Sequence, residues 1–197
     1  LAQTSLSTSD YTCVDVLLRS LIAEMQPQNI SVSLPSLRVD NFSMNLANEM
    51  QKGKKTGLTF APEAGTQRLR DVINKGVLES NLDSVARMAF SNGWSKIKLY
   101  FMMGLPTETD EDLDGIAALA YKVLQIGDEI RREQGGKGPA PQVTVSVSGF
   151  VPKPFTPFEF EPQVRGEELR RRQRYLRDKI KHKRVAYHYH DSQVSYI

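Results

Sequence analysis

The chain has 197 residues, 40% hydrophobic and 25% charged, with a formal net charge of +3. That suits one domain with a real core, burying roughly 70% of the surface its unfolded chain exposes. No run of about 18 apolar residues occurs, so no membrane span is expected. A single cysteine, Cys13, rules out an intrachain disulfide and a cysteine-held metal site built from this chain alone.

Residues Leu1 to Ser5 carry no basic segment, apolar run or cleavage pattern, and a cytoplasmic location is expected. The chain opens in strand-like sequence without an initiating Met, which reads as a cut. The first strand is expected at Ala2–Leu6, followed by a helix over Val14–Met25 that Pro27 stops. A second strand, Asn29–Leu34, precedes a helix over Ser43–Gln51. The third strand, Thr56–Phe60, leads into a short helical turn over Gln67–Ile73, capped by Thr66. A longer helix follows from Ser80 to near Gly93, with Ser80 and Asp83 as a capping box. The fourth strand is Lys96–Met102. Its helix starts at Thr109, with Asp110, Glu111 and Asp112 at the positive end of the helix dipole, and ends at Gly135-Gly136. The fifth strand, Gln142–Ser148, leads through a Pro-rich loop to a basic helix from Gly166 to Ile180. Val185–Tyr189 can add one more strand.

Short apolar strands of this kind suit a fully covered parallel sheet. Strand and helix alternate throughout, which predicts parallel strands joined by crossovers, in a doubly wound sheet or a partial β/α barrel. A complete eight-stranded barrel needs ~250 residues, so the barrel reading is of an incomplete one. Charge is uneven. Residues 165–184 hold ten basic side chains against Glu167, Glu168 and Asp178, a net of +7, leaving −4 for the remainder. Such a helix is a solvated face, or it meets phosphate, nucleic acid or a membrane surface.

In parallel α/β folds, ligands bind beyond the C-terminal ends of strands. That draws attention to Ser7 and Ser9, Arg38, Glu63 to Thr66, Gly104 to Glu108, and Val151 to Pro154. Glu63, between Pro62 and Gly65, can accept hydrogen bonds from hydroxyls or an ammonium, or can pair with a nearby Arg. Arg38 can grip a carboxylate. Gly104 admits a flat ligand or makes a turn. His188 and His190 share a side of the last strand but lack further ligands at metal-binding spacing. Cys13 is expected to be a small buried residue. Phe150, Phe155, Phe158 and Phe160 are expected to cover the rim or core.

Taken in order, these segments resemble the radical S-adenosylmethionine (SAM) enzymes. Leu99-Tyr100-Phe101-Met102-Met103-Gly104-Leu105-Pro106-Thr107-Glu108-Thr109 is similar to the family's fifth-strand motif. Thr59-Phe60-Ala61-Pro62-Glu63-Ala64-Gly65-Thr66 resembles its fourth-strand segment, Val147 to Phe158 its sixth-strand exit, and Ser5 to Tyr11 its second-strand end. The nearest likeness is to an uncharacterised branch whose members often carry an upstream cobalamin-binding-like domain. The resemblance implies a partial (β/α)6 TIM-like barrel. Residues 1–164 would hold the family's strands two to six, and 165–197 a basic helix and tail extending it.

It also implies that the intact protein binds a [4Fe-4S] cluster through three cysteines after a first strand that is missing here. The intact enzyme would cleave SAM reductively to a 5′-deoxyadenosyl radical that abstracts hydrogen from a substrate. Cys13 is no substitute for those ligands, and the fragment alone is expected to be inactive. By motif position, Glu63 would contact the ribose or methionyl part of SAM. Met102, Met103 and Gly104 would line the adenine site with Val151, Ser7 and Ser9 would lie near the methionyl group, and Arg38 would meet its carboxylate. Partners would be the missing N-terminal part and a substrate, tRNA being one that a basic helix suits. Two other readings stand beside this one. The first is a conventional barrel enzyme holding a phosphorylated metabolite at Gly65-Thr66. The second is an RNA-binding module led by the basic helix.

Overall fold

The computed structural model describes residues 11–28, 30 and 57–191. Two of the expected strands, Ala2–Leu6 and Asn29–Leu34 apart from Ile30, lie outside these residues, as do the helix Ser43–Gln51 and the candidate residues Ser7, Ser9 and Arg38.

Helix α1 runs Val14–Met25 and ends in a 3-10 turn, Gln26–Gln28. Leu18 and Ile22, four residues apart, form its buried side. Cys13 sits in the turn just ahead of it and is exposed, not buried. It precedes the helical repeat and falls off the stripe that Leu18 and Ile22 define.

Strand β1 is Leu58–Glu63, two residues later than the sequence pattern places it. It contains Pro62, which has no N–H to donate to a ladder and is tolerated in strands at edges and bulges. The β1 pairing is correspondingly irregular between Phe60 and Glu63. Helix α2 (Gln67–Val72) is capped by Thr66, whose hydroxyl accepts from Leu69 N–H at 3.3 Å. Helix α3 (Glu79–Ser91) begins one residue before Ser80, and its cap differs from the expected Ser80–Asp83 box. Leu78 is the N-cap, and its N–H donates to Asn81 Oδ1 at 2.8 Å. Strand β2 (Lys96–Met103), helix α4 (Asp110–Glu133), strand β3 (Gln142–Gly149), helix α5 (Gly166–Lys179) and strand β4 (Val185–Tyr189) follow.

The described sheet has four strands in the order β1-β2-β3-β4, every pair parallel. Chain order and sheet order coincide, with no reversal. Because side chains alternate across a strand, each strand has two faces. On β2, Ile97, Leu99, Phe101 and Met103 are buried, in one cluster with Leu58 and Phe60 of β1, Val143, Val145 and Val147 of β3, and the apolar stripes of α3, α4 and α5. Each such side chain, once buried, contributes roughly 1.5–3 kcal/mol. The opposite face carries Thr59, Lys98, Tyr100, Thr144, Ser146 and His188, of which only Ser146 is buried. The strands are therefore not covered equally on both sides, as their apolar content suggested. Among the described elements, the helices cover one face only.

The basic segment is an integral part of this body: β4 pairs with β3, and α5 packs on α4. Arg184 makes two bonds to Asp128 on α4, at 2.6 and 2.7 Å. Tyr175 Oη donates to Asp114 at 3.0 Å. Among the described residues no helix is long and apolar enough to cross a membrane.

Candidate functional site

At the C-terminal ends of β1 and β2, and in the loop after β3, lies an open cavity of about 460 Å³. Its walls include Glu63, Lys75, Met102, Leu105, Phe150 and Phe158. Each wall residue has a local cause. Glu63 ends β1 with φ at +69°, a left-handed conformation that costs a non-glycine residue on the order of 1–3 kcal/mol. Such strain clusters at ligand sites because it aims a side chain where a regular strand cannot. The Glu63 carboxylate meets Lys75 Nζ at 3.1 Å, both groups being about three-quarters buried. The sequence pattern pointed to an arginine for this role. Lys75 arrives instead from the turn after α2, where flanking Asn74 and Gly76 both take positive φ. That Asn-x-Gly turn was the available signal for it.

Met102 and Met103 are adjacent on β2 and so face opposite sides. Met102 lines the cavity, whereas Met103 is fully buried in the core. The expectation that both line one site fails for this reason. Gly104 takes φ +87°, and a Cβ there would lie 3.0 Å from Val164 Cγ2. Its close neighbour is thus the loop before α5, and neither Gly104 nor Val151 belongs to the cavity walls. Phe150 and Phe158 meet edge to face with centroids 6.2 Å apart. Together with Ala64, Leu69 and Leu105 they form a small apolar cluster under the cavity. Phe155 and Phe160 are exposed and cover nothing, because they lie in the turns of the Pro-rich loop.

The loops that carry these walls are held by buried polar groups. Arg70, 1% exposed, donates to Val77 O at 3.1 Å, Ala64 O at 3.0 Å and Gln67 Oε1 at 3.2 Å. Burial lowers its pKa. It ties the residue after Glu63 to the linker before α3. Asp112 on α4 accepts from Thr66 Oγ1 and Arg68, and also from Thr109 N–H at 2.8 Å. Burial pushes its pKa up, but the hydrogen bonds from Thr66, Thr109 and Arg68 outweigh this and hold it below the usual carboxylate range. Arg68 also grips Thr107 O at 3.0 Å. Asp112, expected only to complement a helix dipole, in fact joins the β1 exit to the β2 exit.

Gly65 has no room for a ligand. A Cβ there would lie 2.1 Å from Asp112 O and 2.4 Å from Ile116 N, so the α4 backbone covers it. With the Thr66 hydroxyl engaged by Asp112, the expected anion position at Gly65-Thr66 is filled by the protein's own carboxylate.

On the α5 side, Glu108 is buried and accepts from Gly104 N–H at 2.7 Å and from Arg172 at 2.6 Å. Burial pushes its pKa up against both of these bonds. Glu168 binds Arg171 and Arg172, each at 2.8 Å, and Arg171 also binds Asp110. The two guanidiniums hold Glu168 at a pKa of about 2. A carboxylate depressed in the folded state contributes stability above its ordinary pKa of about 4.5 and loses it as pH falls towards 2. Glu168→Gln should therefore flatten the decline in denaturation midpoint between those two pH values. Glu168 is 38% exposed, so 1 M salt should shrink the difference. Parallel pH profiles for the two proteins would contradict the assignment.

Fold and site define a parallel α/β protein with a strand-end cavity. No family model matches the chain. Over 137 residues it is 39% identical to an uncharacterized protein of Methanocaldococcus jannaschii, a match covering 70% of this chain and 27% of that protein. The chain thus spans about a quarter of the length of the curated relative it matches.

Proposed function

We propose that the strand-end cavity is the nucleoside side of a SAM site, and that the chain is part of a radical SAM enzyme with a partial TIM-like barrel. The observation that carries this reading is Glu63: a strained, left-handed carboxylate facing an apolar wall of Met102, Leu105 and Phe150. A nucleoside needs that combination, with a flat surface for the base and an acceptor for the ribose hydroxyls or the methionyl ammonium. The barrel part of the reading draws on the unreversed strand order and on helices that cover one face, since a doubly wound sheet reverses its order and covers both.

The donor set fits SAM in part. Met102 and Phe150 would hold the adenine, and Glu63 would turn from Lys75 towards the ribose. Arg70 and Asp112 would fix the loops that carry these groups. Bound SAM together with an iron–sulfur cluster would supply reductive cleavage and hydrogen abstraction. One cysteine cannot hold such a cluster, so the reading requires three cysteines outside these 197 residues. Any cobalamin-binding domain would likewise lie outside these residues.

Equilibrium dialysis with labelled SAM tests the cavity directly. Binding to this chain is expected, and Glu63→Gln should weaken it about tenfold, roughly the 1.4 kcal/mol of a hydrogen bond to a charged group. The activity is tested on the longer polypeptide, reconstituted anaerobically, which should release 5′-deoxyadenosine on reduction. A spectroscopically intact cluster with no release would end the enzymatic reading, and dialysis without binding would end the cavity assignment.

A further inference from the structure

In the sequence helix α5 reads as one basic surface, but in the fold its cations divide between two faces. Arg171 and Arg172 are held by Asp110, Glu108 and Glu168 and serve the fold. Arg170, Arg174 and Arg177 recur at helical spacing on another side. There they line a groove of about 420 Å³ together with Gln173, Tyr189 and Asp191. Three guanidiniums face one carboxylate in that wall. Among the described residues neither Arg174 nor Arg177 takes part in an ion pair, and both are exposed.

The groove has an aromatic floor as well as cations. Tyr189, 43% exposed, packs on Tyr187 with ring centroids 5.3 Å apart. Tyr187 is itself packed against the core. Tyr189 is thus a braced ring with an open side. Gln173 is buried and donates to His190 O at 3.0 Å, which fixes the helix to the end of β4. Arg170 and Arg177 are seven residues apart, or ~10 Å along the helix axis.

We propose that this groove binds single-stranded nucleic acid, with Arg170, Arg174 and Arg177 tracking the phosphates and Tyr189 stacking on a base. A row of cations beside an exposed, rigid aromatic ring is the arrangement that reads a strand without requiring sequence. A free phosphate would have no use for the ring. An acidic polypeptide would not need the flat face of Tyr189. The proposal is independent of the cofactor reading and uses none of the residues of that cavity.

Fluorescence anisotropy with a labelled twelve-nucleotide single strand, ribo- and deoxyribo-, tests it on this chain. Binding should weaken roughly 20-fold between 50 and 200 mM salt if three cations release counterions. Arg174→Glu with Arg177→Glu should weaken it at least tenfold, and Tyr189→Ala several-fold or more. Lys137→Glu, an equal charge change per site in the loop before β3, should leave it near wild type. Circular dichroism of each variant should match the parent. Absence of binding by either oligonucleotide overturns the proposal. So does binding that survives the double reversal in a folded protein.

Discussion

Gly65→Ala is expected to destabilise the protein by about 3 kcal/mol or more, the upper range for overpacking a closed contact. The added methyl would sit 2.1 Å from Asp112 O and 2.4 Å from Ile116 N, where no side chain can move aside. Relief requires the first turn of α4 to withdraw from the β1 exit. The contact is reciprocal, because a Cβ on Gly115 would lie 2.7 Å from Gly65 O. The two substitutions should therefore combine less than additively, since the first already opens the gap. Urea denaturation of the two single variants and the double gives the answer. A Gly65→Ala loss under about 1 kcal/mol would mean the helix yields easily.

Asp112→Ala is expected to cost a comparable amount, about 3 kcal/mol. Breaking a buried charge pair from one side costs about 3–5 kcal/mol, because it leaves partners without acceptors. Here the Thr66 hydroxyl and the Thr109 N–H lose theirs, while Arg68, half exposed, can turn to water and lessen the loss. Asp112→Asn keeps an acceptor but loses the charge, and should fall between wild type and Ala. Because the depressed pKa is lost with the carboxylate, both variants should also be less sensitive to acid below about pH 4. If the Ala variant unfolds at the wild-type urea midpoint, Asp112 does not join the strand exits as described. Both substitutions lie outside the cavity wall, yet both should loosen the loop that holds Glu63.

Much of the fold was legible because it repeats. The stripe Leu113, Ile116, Ala117, Ala120, Val123 and Leu124 specifies α4 by spacing alone, and all six are buried. Thr66 and Thr109 mark helix starts: the Thr66 hydroxyl accepts from Leu69 N–H, and the Thr109 N–H and hydroxyl both donate to Asp112 in the first turn. Val185–Tyr189 forms the strand its β-branched and aromatic content suggests. Glu63 and Met102 were marked as strand-end residues, and the two share one cavity.

What failed to show was whatever depends on direction or on distant partners. Adjacent residues of a strand face opposite ways, so Met103 could not join Met102 once the helices fixed which side is inside. Lys75 reached Glu63 through a turn that no period reports. Gly65 read as part of an anion site, and its function is close helix contact, because α4 returns 47 residues later to cover it. The net charge of residues 165–184 was plain in the sequence, but its division into ion-paired and open faces follows from where α4 places Asp110 and where the β2 exit places Glu108. Local periodicity and capping chemistry thus determined the elements and their order. Packing alone decided which polar groups are used up within the fold and which face outward, because pairing is a property of neighbours in space.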